Sequence, residues 1–175
     1  MELINRVKKL FMKRLLLLSS VLFAGLVSFA QNPPASPRVT AEGKDVKVEY
    51  GQPSKKGREI FGGLQKYGQV WRAGANTVTE VTFSKDATFA GKPVKAGKYS
   101  FWIIPNENEW TIILNSNVGF SGTEYEKNKD KDYLKVNIPT KKLPSVVEKL
   151  TYTFSGSNMN VQWDQTGVTI PIKAS

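Results

Sequence analysis

From Val46 to Ile172 apolar side chains recur at every second position in short runs, and glycine-, asparagine- and proline-rich breaks separate the runs. This rhythm places successive side chains on opposite faces of an extended chain, so it constrains the fold more than any other feature. Val46, Val48 and Tyr50 alternate with Lys47 and Glu49; Thr79, Val81 and Phe83 alternate with Val78, Glu80 and Thr82. GKYSFWIIP (97–105) and WTIILN (110–115) carry apolar groups on both faces, as central strands covered on both sides do, with Pro105-Asn106-Glu107-Asn108 as their turn. The same rhythm returns at Leu134, Val136 and Ile138, at Leu150, Tyr152 and Phe154, at Met159, Val161 and Trp163, and at Val168, Ile170 and Ile172. Ser155–Asn158 and Asp164–Gly167 read as hairpin connections. Strand signals spaced by about 8–12 residues predict an all-β chain, an antiparallel β-sandwich of jelly-roll or immunoglobulin-like outline. One short helical turn is expected near residues 58–66, weakened by Gly62 and Gly63.

The first thirty residues lie outside that rhythm. Arg6, Lys8, Lys9, Lys13 and Arg14 form a basic segment, Leu15 to Val27 an apolar one, and Ser28-Phe29-Ala30 puts small residues at the −3 and −1 positions. This is the layout of a signal peptide cleaved near Ala30, with Met1 or Met12 as the start. The apolar run is short of the roughly 20 residues that span a bilayer. The expected organisation is a signal peptide over 1–30, a proline-rich tether over 31–37 and a single domain over 38–175. The mature chain is then periplasmic or extracellular, with no membrane association after cleavage.

Charge excludes one class of partner. The leader holds five basic residues and one acid, so the net charge of +10 falls to +6 without it. Lys55, Lys56 and Arg58 make the only tight basic group, and no nucleic-acid-binding motif accompanies it. The absence of cysteine and histidine prunes the chemistry further. It removes imidazole relays, thiolate nucleophiles and the usual ligands of zinc, copper, haem and iron–sulfur centres, so neither cofactor nor metal is expected. EYEKNKDKD (124–132) alternates oxygen donors as a calcium loop does, but Tyr133 stands where the turn glycine belongs and lysines separate the acids; a charged solvent loop is expected. Catalysis would fall to carboxylates. Glu80, inside a strand pattern, is the one weak catalytic candidate, and neither Glu107, Glu109 nor Asp164 forms a recognisable pair with it.

The block GREIFGGLQKYGQVWRAGAN (57–76) combines glycines, aromatics, two arginines and an asparagine just before a strand. Arg72 offers a planar fork suited to a carboxylate, sulfate or phosphate, and Asn76 a donor and an acceptor. Tyr67, Trp71 and Trp102 supply flat walls, so Tyr67, Trp71, Arg72, Asn76 and Trp102 make the candidate ligand site. A purely structural use is the competing reading, with Arg72 paired to Glu59 or Glu80 and Asn76 capping the next strand. Together with KAGKYSFWIIP (95–105) and EWTIILN (109–115), the block resembles the widespread bacterial domain-of-unknown-function family 2911. The resemblance covers nearly everything after about residue 35, and WRAGAN (71–76) is its most specific part. It implies no activity. The residues themselves favour a binding module for a small polar or anionic ligand, a glycan or an envelope partner. The alternatives are a hydrolase or lyase using Glu80 with Arg72, and a structural or accessory envelope protein.

Overall fold

The computed structural model describes residues 36–174; the expected signal peptide and residues 31–35 of the tether lie outside them. Ten strands form two antiparallel sheets: β1 (Arg38–Gly43), β2 (Val46–Gly51), β3 (Thr79–Phe83), β4 (Ala87–Phe89), β5 (Lys92–Val94), β6 (Gly97–Pro105), β7 (Glu109–Asn115), β8 (Asp132–Pro139), β9 (Lys141–Ser155) and β10 (Asn158–Ala174). One sheet runs β1-β2-β3-β6-β7-β8 and the other β5-β4-β10-β9. The fold is an all-β sandwich.

The alternation explains the layers. Val46, Val48, Val81, Phe83, Phe101, Ile103, Ile112 and Leu114 from the six-stranded sheet meet Phe89, Leu150, Tyr152, Met159, Val161, Trp163, Val168 and Ile170 from the other in one buried core. Opposite parity on the two central strands sends Trp102 of β6 and Ile113 of β7 to the outer face. There a second cluster forms, with Val78 and Tyr125 buried beside them and Val70, Ile104 and Phe120 packed against it. Its cover is the β7–β8 connection, residues 116–131, which contains the helix α1 (Tyr125–Asn128) and a 3-10 turn (Lys129–Lys131).

Three local expectations change. Residues 58–66 turn without forming a helix: Leu64 and Gln65 N–H donate to the carbonyls of Glu59 and Ile60, five residues back, and Gly62 has φ 85°. The reason is burial, since consecutive Ile60 and Phe61 both enter the core. The helix forms instead in the charged 124–132 run, where the buried Tyr125 anchors it. Asp164–Gly167 is no hairpin; it lies inside β10, where the register against β9 shifts at Asp164 and again before Thr166. Asp164 takes φ 55° and pairs with Lys55 at 2.6 Å, which turns a break in the pattern into a bulge. Ser155–Asn158 is the β9–β10 hairpin, with Gly156 at φ 55°.

Candidate functional site

WRAGAN is an excursion from one edge of β6. Trp71 exchanges both backbone hydrogen bonds with Ile103, at 2.7 and 2.9 Å, while Thr79 pairs with Phe101. The chain therefore leaves the sheet after Trp71 and rejoins it at Thr79, where the Thr79 N–H donates to Arg72 O at 3.3 Å. Almost every carbonyl in the closed loop has a partner. Ala73 O accepts from Thr79 Oγ1 at 3.0 Å and from the buried Tyr152 hydroxyl at 2.7 Å, and Gly74 O accepts from Trp71 Nε1 at 3.1 Å. The Ala75 N–H donates to Gly51 O at 3.1 Å. Ala73 and Asn76 hold positive φ of 53° and 62°, a cost that the bonds around them offset.

Arg72 stands apart from this closure. It is half-buried, and its Nη1 donates to Asn76 O at 2.8 Å; this is its one hydrogen bond among the described residues. Its stem lies against Gly122, where an added Cβ would fall 2.3 Å from Arg72 Cδ. The Asn76 carbonyl thus engages the guanidinium while Gly122 leaves room for its stem. Neither Glu59 nor Glu80 is its partner.

A cavity of about 320 Å³ opens beside it, lined by Gln65, Val70, Trp71, Arg72, Trp102, Gly122, Thr123, Tyr125 and Glu126. Of the five expected ligand residues, Trp71, Arg72 and Trp102 border this space. Tyr67 and Asn76 do not. Tyr67 is 40% exposed and its ring rests over Gly62, where a Cβ would come within 3.0 Å; burial, then the Glu107 and Glu59 carboxylates, raise its phenol above the ordinary value. The Asn76 side chain turns away to donate from Nδ2 to Ser36 O at 3.1 Å, and its part in the site is the backbone oxygen that seats Arg72. Trp71 and Trp102 are almost wholly buried, so they back the cavity rather than offer open faces. Trp102 Nε1 is already engaged with Ser100 Oγ at 3.0 Å.

The remaining wall comes from the β7–β8 connection, whose charged run from residue 124 the sequence pattern assigns to solvent. Tyr125 was the one available signal, an aromatic alone in a charged run. Its hydroxyl donates to Asp132 Oδ2 at 2.7 Å, and burial followed by that carboxylate pushes its pKa upward. Asn115, fully buried, donates to Asn128 O at 2.7 Å and Asp132 Oδ1 at 2.9 Å, and so clips the connection to the end of β7. The acids of the run are taken up by lysines: Lys127 with Glu124, Lys129 with Glu126, Lys131 with Asp130 and Lys135 with Asp132. No cluster of acids suited to a metal occurs among the described residues.

Glu80 belongs to the sheet surface. Its Oε2 meets Lys98 Nζ at 3.2 Å and Arg38 Nη2 at 3.4 Å, while Oε1 accepts the Gly119 N–H at 3.1 Å. A carboxylate so engaged is poorly placed to serve as general acid or base.

Comparison with known proteins adds one assignment. A family model described as "Protein of unknown function (DUF2911)" matches residues 32–172. No curated protein and no solved structure matches the chain.

Proposed function

The chain belongs to this family of proteins of unknown function, DUF2911, and from the cavity beside Arg72 we propose that its domain is a binding module for a small anionic ligand, acting outside the cytoplasm after loss of the N-terminal leader. One observation carries the reading. Arg72 lines a walled hollow, is held by Asn76 O beside Gly122, and keeps the rest of its donor fork unspent on protein among the described residues. A planar cation fixed in this manner suits a carboxylate or an oxyanion, and little ordering is needed on binding. Gln65 and Thr123 add uncharged polar groups, and Val70, Trp102 and Tyr125 an apolar backing. The volume falls at the low end of the roughly 300–1,000 Å³ usual for ligand pockets, so the ligand is small.

A carboxylate-driven hydrolase draws less support, because Glu80 is committed to Arg38, Lys98 and the Gly119 amide and does not line the cavity. The test is a thermal-shift titration with acetate, butyrate, sulfate, phosphate and gluconate. At least one anion should raise the melting temperature of the wild type. Arg72→Ala should lose that rise while its unliganded stability falls by no more than about 1 kcal/mol, the cost of a stem packed at the surface. No response to any anion in the wild type, or a response kept by Arg72→Ala, sinks the reading.

A further inference from the structure

We infer that the ligand of this cavity is dipolar, a small molecule carrying both a carboxylate and an ammonium, with Arg72 receiving the first and Glu126 the second. The inference rests on the anion-binding reading and narrows it. The same cavity is bordered by a cation from the 72–78 excursion and an anion from α1, two elements far apart in sequence. Their charges do not cancel by contact. Arg72 bonds only Asn76 O among the described residues, and the salt-bridge partner of Glu126 there is Lys129, at 3.0 Å.

That pair is easily displaced. Both side chains are mostly exposed, and an exposed pair one helical turn apart contributes little. A ligand ammonium can therefore take over from Lys129. A plain anion entering the cavity meets repulsion from Glu126, and a plain cation meets repulsion from Arg72. A dipole satisfies both, so the arrangement selects by penalty as well as by attraction. Gln65 and Thr123 add uncharged polar groups to the same lining, and Trp102 and Tyr125 add apolar surface for methylenes.

The test pairs each amino acid with its parent acid on the purified protein: glycine with acetate, 4-aminobutyrate with butyrate, 6-aminohexanoate with hexanoate, by calorimetry. In at least one pair the amino acid should bind about threefold more tightly than the acid, the worth of an ion pair to an exposed carboxylate. Glu126→Gln should reduce that ratio to about one without weakening the acid. Lys129→Gln, which frees Glu126, should widen it. Acids that bind with no amino acid preferred, or a preference that survives in Glu126→Gln, overturn the dipolar ligand and leave the anion site standing. Silence from every probe overturns both.

Discussion

At the scale of single residues, the site depends on close approaches that only glycine permits. Gly122 does not hold a positive φ, so its small size matters for the space it leaves to Arg72. Gly122→Ala should dislodge the guanidinium, abolish the anion response as Arg72→Ala does, and cost about 1–2 kcal/mol in urea unfolding, because the hardest clash falls on the flexible Arg72 stem and the Asn76 carbonyl is met only at 3.0 Å. Gly51 is the contrasting case. A Cβ there would lie 2.1 Å from Ala75 O, a backbone atom held by its own loop, so Gly51→Ala should cost about 1–3 kcal/mol or more by the same measurement. The difference shows where sequence reading reached its limit. WRAGAN was legible as a special block because of its residue types. Nothing in those types told that Trp71 and Ala73 serve loop closure while Arg72 keeps donors spare for the hollow, since that division depends on which carbonyl each donor meets. Gly122, in Ser121-Gly122-Thr123, carries no residue pattern that marks its role.

At the scale of elements, the β7–β8 connection is held by a few polar clips and two rings. Four residues make a helix too short to persist alone, so α1 relies on Tyr125 and Phe120 packed at Trp102 and on Asn115. Asn115→Ala should cost about 1–3 kcal/mol and raise amide hydrogen exchange across 116–131 above that of the strands. Strands β2, β3 and β6 to β10 were readable because each face needs a period of two, whereas β1, β4 and β5 show too few apolar positions to carry that signal. The charged run was not, since charge pattern records what solvent tolerates rather than what a lone tyrosine covers. The turn from β5 into β6 makes a separate prediction about pH. The Asp86 carboxyl is held below its usual range, chiefly by the hydrogen bond from Lys95 and then by the Ala96 N–H. With a folded pKa below the unfolded one, this contribution is complete above about pH 4 and fades as pH falls through the folded value. Asp86→Asn should therefore be less stable than wild type at pH 7, and the gap should close on acidification, as read by urea midpoints.

For the whole molecule, the two sheets meet around an aromatic knot at Phe61, whose ring centroid lies 4.8 Å from that of Trp110, 6.1 Å from Trp71 and 6.4 Å from Trp163. Phe61 comes from the turn that replaced the expected helix, so the segment with the least regular structure closes the core. Phe61→Ala should lower stability by about 3–5 kcal/mol in a single cooperative transition. Alternation in the sequence marked which face each side chain takes. It did not say that β4 and β5 would leave the first sheet to join β10, because a face pattern is silent about neighbours. All four tryptophans are shielded from water, and Trp71 and Trp102 border the cavity whereas Trp110 and Trp163 do not. The folded domain should thus emit toward the blue, and an occupant beside Arg72 should perturb only part of that emission, giving the protein an optical gauge of its own occupancy with no dye attached.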